Sequence, residues 1–236
     1  MADYFLAIES SSTNCSVGLF SEDDLIANKD FNEGYSHSES LATMVNDILQ
    51  SNALSMHDIS ALAVGEGPGS YTGLRIGVAF AKGLCYQSNT HLISFNSLDS
   101  MMLQIINNNL INVMNDSILI SAVDARRDEV YCRVYDVTGK PLSNTCPKVI
   151  DSQSFTEYSK YNQVIVFGSG AEKIKRLTQI GETLVCLPGV FPSVLALGKL
   201  VHSKFNLGQY EDVAYFEPFY LKEFNAGKPK KNILIP

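Results

Sequence analysis

The chain has little of what membrane insertion, zinc binding or stand-alone nucleic-acid binding requires. No apolar run approaches the ~18 residues needed to cross a bilayer. Met1 to Ser12 has neither the basic region nor the long apolar core of a signal peptide. The five cysteines (Cys15, Cys85, Cys132, Cys146, Cys186) are scattered and form no C-x-x-C pair, which argues against zinc. An odd cysteine count without an export signal suits a reducing cytoplasm. The four histidines form no H-E-x-x-H motif. Positive charge is also scarce. With 18 Lys and Arg against 25 Asp and Glu, the net charge of −7 argues against nucleic-acid binding by this chain alone, because phosphate affinity comes from clustered cations. The one basic cluster, Lys228, Lys230 and Lys231, lies in the tail and reads as a solvated terminus. What remains, 45% hydrophobic and 18% charged residues, is the composition of a soluble globular protein. A chain of 236 residues makes one large domain or two small ones.

The most informative segment is Gly65 to Gly83, GEGPGSYTGLRIGVAFAKG. Its Gly67-Pro68-Gly69-Ser70 loop can be neither helix nor strand. The spacing predicts a helix from about Tyr71 to Tyr86 with Gly73, Gly77 and Ala81 on one stripe. A glycine inside a helix costs roughly 1 kcal/mol relative to alanine. Two on one stripe therefore imply a close neighbour, inside the fold or on a partner. The helix is apolar almost all round, which points to the core or an interface. A glycine-rich turn at a helix start can also hold an anion. Here the phosphate-loop pattern lacks its Gly-Lys-Ser/Thr, and the dinucleotide pattern lacks its last glycine. A plain turn and helix cap accounts for the loop.

Read in order, Tyr4 to Ile8, Cys15 to Phe20 and Leu25 to Phe31 are strands. A helix runs from Ser36 to about Ser51, with Ser36 and Glu39 at capping-box spacing. Leu41, Met44, Val45, Ile48 and Leu49 give it an apolar face. A strand over Asp58 to Val64 leads into the Gly-Pro loop. A strand from His91 to Phe95 and a helix from Ser97 to Ile111 follow. The asparagine-rich stretch after it closes a first domain, residues 1–105. A second domain, 106–236, opens with a hairpin, Ile118 to Val123 and Val130 to Val137. It continues with a strand Val164 to Phe167, the turn Gly168-Ser169-Gly170, a helix Ala171 to Gln179 and a strand Leu184 to Leu187. Pro192-Ser193 then starts a helix to Phe205, and Tyr215 to Leu221 is extended. In a two-lobed fold this C-terminal segment can return to the first lobe.

The two hairpins align without a gap. Leu6-Ala7-Ile8-Glu9 matches Ser121-Ala122-Val123-Asp124, and Val17-Gly18-Leu19-Phe20 matches Cys132-Arg133-Val134-Tyr135. Either the match is chance or the chain is a duplicated α/β unit, as in the actin, sugar kinase and Hsp70 superfamily. Strands alternating with helices support the α/β class. Asp124 and Glu129 form no acid–base pair that the sequence can fix, and they read as a structural or partner-facing turn.

Four segments, GPGSYTGLRIG at 67–77, LAIESS at 6–11, DARRDEVY at 124–131 and PFYL at 218–221, resemble the bacterial TsaB (YeaZ) family. The resemblance implies an α/β fold of two actin-like lobes, built on duplicated ribonuclease H-like units with a degenerate second lobe. It implies a non-catalytic scaffold in the synthesis of threonylcarbamoyladenosine, the modified tRNA base beside the anticodon. The implied partners are a TsaD-like transferase and a TsaE-like ATPase, with tRNA met only through the complex, no membrane, and a homodimer when alone. The first two helices make the family's partner contact, which nominates His37, Leu41, Met44, Val45, Ile48, Gly73, Arg75, Gly77 and Ala81. TsaD-like proteins bind a metal through two histidines four residues apart. Here His37 stands alone and Leu41 occupies the second place, short of the three protein ligands a catalytic metal needs. Ser10, Ser11, Gly168 and Gly170 sit where superfamily relatives hold nucleotide, but the phosphate turns lack their glycines. The chain is thus expected to carry no cofactor of its own, with ATP or ADP at the interface of the complex. The competing readings are a stand-alone peptidase or small-molecule kinase, and a self-associating structural dimer.

Overall fold

A computed structural model describes residues 3–31, 37–107 and 111–222, with backbone alone for 37–39. The Ser36–Glu39 capping box, the His37 side chain, the middle of the asparagine-rich stretch and the Lys228, Lys230 and Lys231 cluster lie outside the described residues.

The first five strands are β1 (Tyr4–Glu9), β2 (Cys15–Ser21), β3 (Asp24–Phe31), β4 (Ile59–Gly67) and β5 (His91–Asn96). They form one sheet in the order β3-β2-β1-β4-β5, with β1, β2 and β3 antiparallel and β1, β4 and β5 parallel. The next five are β6 (Ser117–Asp124), β7 (Glu129–Tyr135), β8 (Cys146–Val149), β9 (Gln163–Phe167) and β10 (Leu184–Leu187). Their order, β8-β7-β6-β9-β10, repeats the first sheet strand for strand and direction for direction. This is the duplicated unit that the hairpins suggested, and it gives the two-lobed actin-like fold.

Strand alternation sorts the cores. Leu6 and Ile8 of β1 point to one face of the first sheet, while Phe5 and Ala7 point to the other. The first face is covered by α1 (His37–Ser51) and α2 (Tyr71–Ser88). The second receives Val194, Leu197 and Val201, the last on α5 (Gly198–Asn206), so the chain's last helix packs on its first sheet. In the second sheet, α3 (Ser97–Asn107) lies against Leu119, Tyr135, Ile165 and Phe167, and α4 (Ala171–Leu177) covers Ile120, Val130 and Val166 on the other face. With helices on both faces, the central strands are apolar nearly throughout. The helix α3 also fixes one lobe to the other. The Arg133 guanidinium of β7 reaches the Asp99 carboxylate of α3 at 2.9 Å, and the Tyr135 hydroxyl donates to Asp99 at 2.7 Å.

The second lobe is the reduced copy. Between β8 and β9, where the first lobe has α1, only a single 3-10 turn, Thr156–Tyr158, is present, and α4 has 7 residues where α2 has 18. Two sequence expectations are corrected. The hairpins do not align without a gap: Ile8 pairs with Val17, but Val123 pairs with Tyr131, so the second turn is one residue shorter. Its tightness comes from Arg126 and Arg127, which both adopt positive φ, 68° and 47°. The last helix begins at Gly198, not at Pro192-Ser193, because Ser193 spends its hydroxyl on Ser16, 3.2 Å away.

Candidate functional site

The Gly-Pro loop and the start of α2 are built onto the first hairpin turn. Ser70 caps α2 by accepting from Gly73 N, 3.2 Å away. The Ser70 amide donates to Ser11 O at 2.6 Å, and the Ser10 hydroxyl donates to Gly73 O at 3.0 Å. Here the small residues are required. A Cβ on Gly69 would lie 2.2 Å from Ser11 O, one on Gly73 2.1 Å from Ser10 O, and one on Gly77 2.1 Å from Ser10 Oγ. The close neighbour that the glycine stripe demanded is therefore the chain's own hairpin turn.

Gly73, Gly77 and Ala81, nominated for the partner contact, are all buried inside the fold. The nominated Leu41, Met44, Val45 and Ile48 lie on the inner face of α1. They are buried in the first-lobe core, where each contributes roughly 1.5–3 kcal/mol by leaving water. Arg75 is the described residue of the nominated set that is exposed. Its guanidinium lies 4.1 Å from the centre of the Tyr71 ring, and its Nε donates to the Tyr220 hydroxyl at 3.1 Å.

One helical step away lies a face the sequence reading passed over. Thr72, Arg75, Ala79, Gly83, Tyr86 and Gln87 of α2 are exposed, with Ile76, Phe80 and Leu84 half-buried between them. Tyr86 is 88% exposed, the most exposed of the large apolar side chains on the described surface. A Cβ on Gly83 would meet nothing within 4 Å. Nothing among the described residues explains a glycine there, although it weakens the helix by roughly 1 kcal/mol relative to alanine. The signal was present in the sequence, since Thr72, Ala79, Gly83 and Tyr86 share helical spacing, but the Gly73 and Gly77 stripe drew the attention. The helix is thus half-exposed, with an apolar outer face.

Of the nucleotide candidates, Ser10, Gly168 and Gly170 are engaged within the chain, while the Ser11 hydroxyl is buried with no hydrogen-bond partner among the described residues. Ser10 and Ser11 are buried, and the Ser11 amide donates to Glu9 Oε1 at 2.7 Å. Gly168 and Gly170 press on the backbone of Ala122, which a Cβ would meet at 2.3 and 3.1 Å. Their small size serves the turn from β9 to α4. Asp124 is paired with the buried Lys173 at 2.8 Å, and Glu129 with Lys222, so both carboxylates have structural partners. A shallow cavity of about 520 Å³ beside Lys173 is lined by Asp124, Ser169, Glu172, Lys175 and Arg176. Among the described residues no three His, Cys, Asp or Glu side chains converge as a metal site would require, and no helix is long and apolar enough to cross a membrane.

The Glu9 carboxyl is fully buried, accepting from Ser97 Oγ at 2.8 Å as well as from Ser11. Burial pushes its pKa above the ordinary 4.5, against the opposing hydrogen bonds. The folded chain then holds a proton that the unfolded chain releases. This group's contribution to stability is full below about pH 4.5 and is lost as pH rises through the folded value. Glu9→Gln should therefore flatten the fall in stability as pH rises above about 4.5, measured by urea unfolding. An unchanged slope in the variant would show that another group sets it.

The C-terminal segment crosses this region. Lys82 of α2 donates to Ala214 O at 3.1 Å and Phe216 O at 2.9 Å, Phe219 N donates to Glu66 O at 2.8 Å, and Lys222 pairs with Glu129 in the second lobe. Residues 211–222 therefore strap α2 to both lobes.

The duplicated five-stranded sheets define a two-lobed α/β protein of the actin-like fold. A family model described as tRNA N6-adenosine threonylcarbamoyltransferase (TsaD) matches residues 33–217. The tRNA threonylcarbamoyladenosine biosynthesis protein TsaB of Escherichia coli (strain K12) is 35% identical over 130 residues, 55% of this chain and 54% of that protein. TsaB of Bacillus subtilis (strain 168) is 32% identical over 143 residues, 60% of this chain and 59% of that protein. The chain thus spans about half the length of the curated relatives it matches. A solved Pseudomonas aeruginosa structure described as YeaZ shares the fold, with a TM-score of 0.79 at 22% identity over 93% of this chain and 100% of that one. A second from that organism, described as similar to peptidase YEAZ, gives 0.80 at the same identity and coverage. The chain belongs to the threonylcarbamoyltransferase family, in its TsaB/YeaZ branch.

Proposed function

We propose that this chain is a non-catalytic scaffold of tRNA threonylcarbamoyladenosine synthesis, and that it docks a TsaD-like transferase through the outer face of α2. The observation that carries the reading is that face: an exposed Tyr86, half-buried Ile76, Phe80 and Leu84, and a glycine at 83 with open space before it. A glycine there costs helix stability and admits a second backbone close by, where dispersion contacts accumulate. Docking holds the transferase in its active shape to the extent that this surface prefers that shape. The engagement of Ser10, Gly168 and Gly170 within the chain supports a scaffold over a kinase. ATP or ADP is accordingly assigned to the interface of the complex, and a TsaE-like ATPase and tRNA join there, in the cytoplasm. With the transferase absent, the same face pairs with a second copy.

The test is reconstitution. The chain is mixed with its TsaD-like transferase and run by native mass spectrometry. Threonylcarbamoylation of tRNA is then measured with and without the chain, and ATP turnover is measured on the chain alone. The expected result is a joint complex and modification that needs both proteins. Absence of the complex, or turnover of a substrate by this chain by itself, would sink the scaffold reading.

A further inference from the structure

Two of the five cysteines face each other in the second lobe, away from the docking face. In the antiparallel pair of β7 and β8, Cys132 lies directly opposite Cys146. Directly opposed residues of such a pair point to the same face, with Cα atoms roughly 4.5–5.5 Å apart. A disulfide spans roughly 4.4–6.8 Å between Cα atoms. Both side chains belong to one core: Cys132 is 2% exposed and Cys146 packs against the same cluster, half-buried on the edge strand. Burial, reinforced by the neighbouring Cys146, pushes the Cys132 thiol up to about 12. The other cysteines are placed differently. Cys15 and Cys85 lie in the first-lobe core, and Cys186 is on β10, three strands from β7, or ~14 Å at the usual strand spacing.

We propose that Cys132 and Cys146 form an oxidation site, a cross-strand dithiol that a small disulfide such as glutathione disulfide closes. The thiolate of Cys146, the more accessible sulfur, attacks one sulfur of glutathione disulfide. The bond between the glutathione sulfurs breaks, and one glutathione leaves as thiolate. Cys132 then gives its proton to solvent and attacks the Cys146 sulfur, which releases the second glutathione. The two protein thiols lose two electrons and two protons, and one glutathione disulfide becomes two glutathiones. Because the buried Cys132 must ionise, the second step quickens as pH rises. The bond ties the edge strand β8 to its neighbour β7, beside the Arg133 that grips Asp99 of α3. It also removes freedom from the unfolded chain, so the oxidised form melts higher. In a reducing cytoplasm such a bond is transient and reports oxidative load.

The experiment incubates the full chain with glutathione disulfide near pH 7 and near pH 9. Free thiols are then blocked, and the protein is digested without reductant for mass spectrometry. The expected product is one linked peptide joining Cys132 to Cys146, formed faster at the higher pH and reversed by dithiothreitol, with a melting temperature several degrees above that of the reduced chain. Cys132→Ala should stop at a glutathione adduct on Cys146, and Cys146→Ser should give no link to Cys132. The proposal fails if Cys132 and Cys146 remain free in the treated wild-type chain, if either pairs instead with Cys15, Cys85 or Cys186, or if the linked form melts no higher.

Discussion

Gly73→Val should lower the stability of the chain by about 3 kcal/mol or more, a fall in melting temperature of roughly 6–12 °C. Gly83→Ala, ten residues on in the same helix, should raise stability by up to ~1 kcal/mol. The opposite signs follow from what each new Cβ meets. At position 73 it lies 2.1 Å from the Ser10 carbonyl oxygen, which cannot swing aside. That turn is tied twice to α2, by the Ser10 hydroxyl on Gly73 O and by the Ser70 amide on Ser11 O. Relief would require moving β1 or the helix, and β1 is the central strand of its sheet. At position 83 nothing lies within 4 Å, so alanine gives only its better helix propensity. Thermal melts of the two variants decide the matter. A mild effect at Gly73 would mean that the turn and the helix separate more readily than their hydrogen bonds suggest.

The sequence made the elements legible but not their partners. The start of α2 at Tyr71 was readable because Ser70 is a good cap and the loop before it cannot be helical. The demand of Gly73 and Gly77 for a close neighbour was readable as well. Which neighbour was not, because Ser10 lies 63 residues earlier and no local pattern connects them. The apolar face of α1 had the same ambiguity: Leu41, Met44, Val45 and Ile48 read alike whether they meet a sheet or a partner. Tertiary structure settled it in favour of the sheet. The hairpin turn at Arg126 and Arg127 misled for a different reason. Positive φ is a glycine or asparagine habit, so two consecutive arginines gave no hint of a tightened turn. Pro192-Ser193 looked like a helix start, yet Ser193 bonds across to Ser16. The helix waits for Gly198, where a Cβ would strike Asp23 O at 1.9 Å. Apart from that turn, a contact distant in sequence decided each time between locally equal options.

Tyr86→Ala should weaken binding of the TsaD-like transferase about 30-fold, and Gly83→Leu by more, with neither chain less stable than the parent. The first figure is that of a central aromatic anchor worth about 2 kcal/mol. The second rests on distance of approach: a leucine at 83 fills the space that the partner backbone would occupy, while in the free chain it projects into solvent. Two control variants separate docking from folding. Gly77→Leu would force a side chain into the Ser10 hydroxyl and report on folding instead. Leu41→Ala would open a cavity in the core, costing about 2–5 kcal/mol, and should leave the affinity of the still-folded fraction unchanged. Titration calorimetry against the purified transferase, paired with thermal melts, reads both quantities. If Tyr86→Ala and Gly83→Leu bind like the parent, the transferase does not use the outer face of α2. The cost of a helical glycine at 83 would then need another cause.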